Sequence, residues 1–246
     1  MYLLLIPGLP RSFSTSLYEV LNKTNVYGSI ANMKECPYLH SIYLPNEQKR
    51  LKYSIRVKLF PVKEKIKTLD NYFFGVEQTK KEHHIGVCDS SCYNICLKKP
   101  HLQEIKNNSP YKIKILLLFR DPVKYLYSSY CHNFKHESKK NFLNTIKNQK
   151  YADYILVYNK FKTVFGKDML HFISEELFNI KEKQNSLEKF LDLPENCLDF
   201  SVHANKSNNM KPLSPEEYEY VYKQLSSQYD QWESKFGSLP SCWGKL

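Results

Sequence analysis

The sequence MYLLLIPGLPRSFSTS at positions 1–16 decides the fold that we predict for this chain. Residues 3–6 form a short, uninterrupted apolar run that ends at a proline and a glycine, which is typical of a strand buried on both faces. Apolar residues at helical spacing follow the turn, at Leu17, Val20 and Leu21. This segment therefore predicts a buried strand, a tight turn and a helix.

A second unit of the same kind lies in the middle of the chain. Residues 112–119 are nearly continuous in apolar side chains, and Asp121 and Pro122 follow before a predicted helix at about 123–134. Two strand-turn-helix units with buried strands predict an α/β fold with a parallel sheet covered by helices. Its three layers would be a central parallel β-sheet and helices on both sides.

Weaker patterns predict the remaining elements. Further strands are expected at 53–60, 84–88 and 169–173. Further helices are expected at 142–165, 181–191 and 215–236. The last helix has a capping box, since Ser214 precedes Pro215 at the first helical position and Glu217 follows three residues after Ser214. We find no internal repeat or linker, and therefore expect a single domain over residues 1–246.

The chain carries an excess of positive charge. Its 246 residues include 36 Lys and Arg against 25 Asp and Glu, which gives a formal net charge of +11. Such a field favours polyanionic partners such as nucleic acid, nucleotides, anionic glycans or a membrane surface. Lysines on solvated helix faces would produce the same balance, so the charge alone does not identify a partner.

Other features of the composition predict the compartment. No apolar run approaches the roughly 20 residues of a membrane-spanning helix, and the first ten residues lack the basic n-region of a signal peptide. The seven cysteines are odd in number and mostly scattered, which fits reduced thiols. We therefore expect a soluble cytoplasmic protein, an expectation that would not hold if a leader had been removed from this sequence.

The turn after the first strand has the chemistry of an anion site. A guanidinium, four hydroxyls and a run of backbone N–H groups meet there at a helix N-terminus, where the helix dipole favours an anion. The residues concerned are Arg11, Ser12, Phe13, Ser14, Thr15 and Ser16. We predict that they bind a phosphate, although the same hydroxyls would also serve as simple helix caps. A Walker A loop is not present, because the second glycine and the lysine of G-x-x-x-x-G-K-[ST] are missing.

The turn after the second strand offers another cation. Arg120 stands at its start, and Ser128 follows eight residues later, a little over two helical turns on. A phosphate that lies along the start of this helix can meet both groups.

Together the two turns resemble the nucleotide-binding signature of sulfotransferases that use PAPS (3′-phosphoadenosine 5′-phosphosulfate). PRSFST at 10–15 is similar to the family's P-[RK]-S-G-[ST]-T loop, and RDPVKYLYSSY at 120–130 matches R-[DN]-P-x-x-x-x-x-S-x-Y in full. KECPY at 34–38 is similar to the K-E-P-H-[YF] stretch of carbohydrate sulfotransferases, and SEEL at 174–177 resembles a late Y-E-D-L stretch. The cytosolic phenol branch is disfavoured, because RVKLFP at 56–61 lacks the histidine of its K-T-H-L-P strand. The chain therefore looks closer to the carbohydrate and tyrosylprotein type.

The resemblance implies a three-layer fold of the P-loop type, the reaction and the cosubstrate. A sulfuryl group would pass in line from PAPS to an acceptor hydroxyl, leaving PAP (the desulfated nucleotide) as product, and no metal would be needed. The first loop would hold the 5′-phosphate, and Arg11 would offset charge on the bridging oxygen. Arg120 and Ser128 would hold the 3′-phosphate. The basic surface and the Glu35 motif favour a glycan or another polyhydroxylated acceptor over a planar phenol. A tyrosine in a peptide, a lipid headgroup and a natural product stay open as acceptors.

The general base is the least determined part of this prediction. By resemblance, Glu35 would accept the proton of the attacking hydroxyl, unless it is only a surface glutamate paired with a lysine. The other candidates for the base are His40, His83, His84 and Asp89.

Two positions depart from the family's pattern. Phe13 stands where the first loop has a glycine, so the backbone is expected to approach the phosphate less closely. Ser90 stands where a lysine often touches the sulfate, so Lys34 or Lys58 would have to serve, or the rate would be lower.

Two other functions stay open. The first strand, loop and helix would also suit a nucleotide-dependent phosphotransferase of the kinase type, and the charge would suit a polyanion-binding module without catalysis. No nucleic-acid-binding motif supports a specific nucleic-acid partner. Cys88, Cys92 and Cys96 would share a face if that segment were helical, but they lack a fourth zinc ligand, so we expect no metal. Four tyrosines could line a nucleotide or sugar pocket, but aromatic residues at helical spacing usually belong to the core; they are Tyr18, Tyr125, Tyr127 and Tyr130.

Overall fold

Five parallel strands form one sheet, in the order β2-β3-β1-β4-β5. The structure is a computed structural model that describes residues 1–8, 12–24, 26–29, 38–43, 68–79, 84–90, 95–133, 139–146, 153–201 and 212–244. The strands are β1 (Tyr2–Leu5), β2 (Tyr27–Ser29), β3 (Gly86–Asp89), β4 (Lys112–Phe119) and β5 (Met169–Ile173).

Helices cover both faces of the sheet. The earlier helices are α1 (Ser14–Lys23), α2 (Tyr38–Tyr43), α3 (Leu69–Thr79), α4 (Lys99–Asn108), α5 (Pro122–Asn133) and α6 (Lys139–Thr145). The later ones are α7 (Tyr154–Phe165), α8 (Ser174–Asn179), α9 (Lys181–Phe190), α10 (Pro215–Gln224) and α11 (Ser226–Phe236). The predicted α/β fold with a flanked parallel sheet is confirmed.

The continuous apolar strands are explained by two hydrophobic cores, one on each face of the sheet. In and after β1, Leu3 and Leu5 belong to the first core, whereas Leu4 and Ile6 belong to the second. The first core packs α2 to α7, α10 and α11, and the second packs α1, α8 and α9. Because successive side chains of a strand point to opposite faces, a strand between two cores needs apolar residues at every position.

The connections after β1 and β4 leave to opposite faces at the carboxyl end of the sheet, and we call the space between them the crevice. The two strands are neighbours, with Leu5 opposite Ile115. The helix after β1, α1, packs in the second core, whereas α5, which follows β4, packs in the first. In open α/β sheets, ligands bind outside the strand ends where neighbouring connections leave to opposite faces.

The strands follow the sequence closely. The predictions at 112–119 and 169–173 are confirmed by β4 and β5, and β1 and β3 lie within two residues of their predicted bounds. The strand β2 was not predicted, since its three residues YGS carry no alternation and contain a glycine. The predicted strand at 53–60 lies outside the described residues.

Two long helices were predicted wrongly. The interval 142–165 holds two helices, because α6 ends at Thr145 and Asp153 caps a new helix by accepting a hydrogen bond from the amide of Leu156 at 2.8 Å. The interval 215–236 is divided at Leu225, whose backbone leaves the helical region at φ −106 and ψ 8. Leu225 is buried in the first core, so packing and not a helix-breaking residue sets this division. The capping box at Ser214 and Glu217 is confirmed.

No helix in the described ranges is long and apolar enough to cross a membrane.

Candidate functional site

The N-terminus of α1 opens onto the crevice without a side-chain cap. Phe13 is the residue before the helix, and its backbone is left-handed at φ 60 and ψ 13. The side chain of Phe13 makes no capping hydrogen bond, and the first turn of the helix carries no acidic residue. The first amides of a helix have no partner within the helix, so an uncapped start is a natural place for an anion.

Two buried hydroxyls lie in the loops at this end of the sheet. Ser12, in the loop after β1, is 0% exposed, and Ser90, directly after β3, is 2% exposed. Neither oxygen has a hydrogen-bond partner within the described part of the chain. A buried hydroxyl without a partner costs about 1–3 kcal/mol, so these positions fit an anionic ligand that accepts hydrogen bonds from them.

Aromatic packing holds Phe13 in its unusual backbone conformation. A left-handed backbone costs a residue with a side chain about 1 kcal/mol or more, whereas glycine adopts it freely. The ring of Phe13 lies 5.5 Å from the ring of Phe178 in α8. The guanidinium carbon of Arg120 lies 5.0 Å from the centre of the Phe13 ring. The two turns found in the sequence are therefore in contact, 107 residues apart in the chain (120 − 13).

Arg120 is also paired with a carboxylate that the sequence did not single out. Its Nε lies 3.4 Å from Oε1 of Glu175, which is long for a hydrogen bond and typical of an ion pair. The side chain of Glu175 is only 16% exposed. Burial raises the pKa of Glu175, and the positive charges of Arg120 and Lys124 oppose that rise.

Ser174 joins the loop after β1 to the end of β4. Its hydroxyl, fully buried at the start of α8, lies 2.9 Å from the carbonyl of Ser12 and 2.9 Å from that of Phe119. A second tie reaches Arg120, whose carbonyl accepts a hydrogen bond from the hydroxyl of Tyr154 at 2.9 Å. The sequence signal for Ser174 and Glu175 is the SEEL segment, which assigns no role to either residue.

Asp121, next to Arg120, serves the architecture. Its carboxylate accepts hydrogen bonds from the amide of Lys124 at 3.0 Å, the hydroxyls of Tyr218 at 2.7 Å and Tyr229 at 3.3 Å, and the amide of Gly244 at 3.1 Å. The start of α5 is therefore already capped by a carboxylate. An anion in the crevice would have to be bound by side chains there and not by the first amides of α5.

The other predicted binding residues lie along the two helices. Ser128 is buried on α5, and Ser14 and Ser16 are buried on α1 beside the half-buried Thr15. That these hydroxyls bind a nucleotide stays a prediction. Tyr127 and Tyr130, both on α5, pack against Phe142 in the first core, as expected.

Several predicted residues have no described position. Arg11, Glu35, Lys34, Lys58, His83 and Cys92 lie outside the described residues, and the side chain of His40 does as well. Two alternative bases are described, and both are buried. Asp89 is 1% exposed at the end of β3, and its Oδ2 accepts a hydrogen bond from the hydroxyl of Tyr72 at 2.8 Å. His84 precedes the same strand and is also buried.

The cysteine segment is not a single helix. Cys88 lies inside β3 and is buried, whereas Cys96 is exposed in the turn before α4. The idea that the three cysteines share a helical face is therefore wrong. No group of three potential metal ligands occurs among the residues that could be searched, those of the described ranges.

Comparison with known proteins gives structural similarity without sequence similarity. No family model matches the sequence. No curated protein matches it either.

A sulfotransferase from Alicyclobacillus acidocaldarius superposes with a TM-score of 0.68 at 16% identity, covering 98% of this chain and 98% of its own. A sulfotransferase domain from the curacin biosynthetic pathway matches at a TM-score of 0.46 and 15% identity, covering 92% of this chain and 97% of its own. A sulfotransferase from Mycobacterium avium matches at 0.45 and 10% identity, covering 96% of this chain and 77% of its own. The chain therefore has a sulfotransferase fold.

Proposed function

We propose that this chain is a PAPS-dependent sulfotransferase. The observation that carries the proposal is the buried hydroxyl of Ser12, which lacks a partner within the described ranges and lies beside the uncapped start of α1. Arg120 reaches the same loop through Phe13. The sequence of the two turns and the fold shared with the sulfotransferase from Alicyclobacillus acidocaldarius support the same reaction.

The residues of the two turns would divide the nucleotide between them. Backbone amides of the first turn, with Ser12, Ser14, Thr15 and Ser16, would hold the 5′-phosphate end. Arg11 would neutralise charge on the oxygen that bridges phosphorus and sulfur, and Arg120 with Ser128 would hold the 3′-phosphate.

The proposed chemistry is an in-line displacement at sulfur. The acceptor oxygen forms a bond to sulfur while the bond between sulfur and the bridging oxygen breaks, and PAP leaves. Glu35 would take the proton of the acceptor hydroxyl. Asp89 is less suited to that task, because it is buried and already accepts a hydrogen bond from Tyr72.

The acceptor class is a finer part of the proposal. The net charge of +11 favours an acidic or polyhydroxylated acceptor such as a glycan over a planar phenol. The similarity of KECPY to a stretch of carbohydrate sulfotransferases points in the same direction.

Thermal unfolding with a set of nucleotides tests the binding site. PAP, ADP, ATP and coenzyme A would be compared without magnesium at moderate salt. A ligand at 100 times its dissociation constant adds about 2.7 kcal/mol, which raises the midpoint of a protein of this size by roughly 2–4 °C. We expect PAP to give a shift of that order and ADP a much smaller one.

An activity measurement then tests the chemistry. Labelled PAPS would be incubated with a panel of glycans and phenols, and we expect sulfation of a glycan that Glu35→Gln nearly abolishes while PAP binding stays within a few-fold of wild type. A fully active Glu35→Gln variant would remove Glu35 from the mechanism. A response to ATP with magnesium alone would favour a phosphotransferase, and no nucleotide response together with steeply salt-dependent DNA binding would favour a polyanion-binding module.

A further inference from the structure

We propose that Phe13 and Glu175 are positioning residues that fix the guanidinium of Arg120 and so set a preference for nucleotides that carry a 3′-phosphate. The inference rests on the proposed function, in which Arg120 binds that phosphate. It adds Glu175, which belongs to neither phosphate-binding group, and assigns to Phe13 of the first turn a task that glycine could not perform.

Two contacts of different kinds define where the guanidinium lies. The Phe13 ring faces it at 5.0 Å, within the range of a cation–π interaction, and the Glu175 carboxylate approaches Nε at 3.4 Å. The Arg120 side chain is 20% exposed, so these contacts lie in a largely dehydrated setting where charge interactions are strong. An arginine fixed in advance loses less conformational entropy when it binds an anion.

The pair with Glu175 is compatible with phosphate binding. A guanidinium has five N–H donors, of which Nε supplies one and the two terminal nitrogens supply four. If Nε stays on Glu175, the terminal nitrogens can still form parallel hydrogen bonds to two phosphate oxygens.

The surroundings of Glu175 make Arg120 its principal partner. Neither carboxylate oxygen has an aligned hydrogen-bond partner among the described residues, and both oxygens are buried. The other groups that face it are Asp121 and Lys124, Tyr154 and Cys242. A buried carboxylate of this kind is strongly tied to the cation with which it forms an ion pair, so removal of the Glu175 charge should release the arginine.

The position of Phe13 requires a compensating contact. The left-handed backbone at φ 60 is strained for phenylalanine, whereas glycine would adopt it freely. The ring is retained there between Phe178 and Arg120, at 5.5 Å and 5.0 Å. Packing against Phe178 alone would explain a structural role, and the contact with Arg120 adds a role at the site.

The test compares dissociation constants for PAP and for adenosine 5′-phosphate, which lacks the 3′-phosphate. We expect Phe13→Leu and Glu175→Gln each to weaken PAP binding about tenfold, because each variant loses a contact that holds the guanidinium in place. The dissociation constant for adenosine 5′-phosphate should change less than about twofold. Phe13→Tyr keeps the aromatic face, so the ratio of the dissociation constants for the two nucleotides should stay as in the wild type.

Two matched controls separate positioning from folding. Glu176→Gln neutralises the neighbouring glutamate of α8, which pairs with Lys183 at 3.7 Å and is 15% exposed, and it should leave the ratio unchanged. Phe178→Leu removes the ring that packs against Phe13. It should lower the stability of the fold without changing the ratio of the two dissociation constants. If Phe13→Leu does not fold, Glu175→Gln decides the proposal on its own.

The outcomes distinguish this inference from the proposed function. A wild-type protein without a preference for PAP would overturn both. A wild-type preference that survives in Glu175→Gln, or an equal loss for the two nucleotides, would overturn only the positioning role. Tighter PAP binding by Glu175→Gln would also overturn it, because Glu175 would then compete with the phosphate.

Discussion

At the scale of single residues, Ser12 shows how stability and binding conflict in the crevice. Its hydroxyl is fully buried without a partner within the described ranges, and its carbonyl is held by the hydroxyl of Ser174 at 2.9 Å. The backbone tie needs no hydroxyl at position 12. The side-chain oxygen therefore adds nothing visible to the fold, and binding remains as its physical rationale.

Removal of that hydroxyl should separate the two properties. We expect Ser12→Ala to leave the free energy of unfolding unchanged or raise it by up to about 1 kcal/mol, since an unsatisfied buried group is lost. The same change should reduce the thermal shift given by PAP. Urea unfolding and nucleotide titration check these results. The control is Ser186→Ala, because the hydroxyl of Ser186 is exposed and donates a hydrogen bond to a helix carbonyl at 2.9 Å. A clear loss of stability in Ser12→Ala would show that the hydroxyl has a structural partner.

At the scale of secondary structure elements, Asp121 links the start of α5 to the C-terminal helices. It caps α5 through the amide of Lys124 and receives the hydroxyls of Tyr218 in α10 and Tyr229 in α11. One carboxylate thereby links the two C-terminal helices to the turn that follows β4. The aspartate of the RDP turn has an architectural task beside the site.

Asp121 and Asp153 provide a matched pair of helix caps. Both accept a hydrogen bond from the amide three residues on, but Asp153 is exposed, whereas Asp121 is fully buried. We expect Asp153→Ala to cost about 1 kcal/mol, the usual value of a cap. Asp121→Ala should cost at least about 3 kcal/mol, because buried donors lose a charged acceptor. Equal losses in denaturant unfolding would mean that the links to α10 and α11 contribute nothing.

At the scale of the whole molecule, an aromatic cluster joins the strand β5 to helices of the first core. His171 in β5 lies 5.1 Å from Tyr158, 6.1 Å from Trp232 and 5.1 Å from Phe236, between ring centres. Burial lowers the pKa of His171 to about 4, and the charges of Lys162 and Lys183 act in the same direction. The cluster therefore favours the neutral form of the His171 imidazole over the protonated form.

This depressed pKa predicts a loss of stability in acid. The unfolded chain takes up the proton near pH 6.5, whereas the folded protein does so only near 4. Protonation of His171 therefore does not affect the free energy of unfolding above about pH 6.5. As the pH falls from there toward 4, it lowers the free energy of unfolding by up to about 3 kcal/mol. Glu175 acts in the opposite sense, because its pKa is raised by burial.

A substitution isolates the contribution of His171. His171→Phe keeps an aromatic ring and cannot be protonated, so its advantage over wild type should grow by about 2–3 kcal/mol between pH 7 and 4.5. Denaturant unfolding at several pH values gives both curves. Parallel curves would show that another group causes the acid sensitivity.

The sequence determined the features that depend on neighbouring residues. The bounds of β4 and β5 follow from runs that are mostly apolar, and the start of α10 follows from Ser214, Pro215 and Glu217. The chemistry of the two turns was also legible, because a guanidinium and hydroxyls at strand ends suit an anion wherever the sheet places them. The roles of Arg11 and Glu35 stay predictions on the same basis.

The tertiary structure decided what distant segments do to one another. The contact of Phe13 with Arg120, the pairing of Arg120 with Glu175 and the bridge from Ser174 to Ser12 join residues 55 to 162 positions apart. The division of the last helix at Leu225 has the same origin, since core packing overrides a continuous helical pattern there. Local periodicity carries information about which face of an element is buried, but it does not state which other element covers that face. Only the folded sheet, which brings the ends of β1 and β4 together, makes those choices.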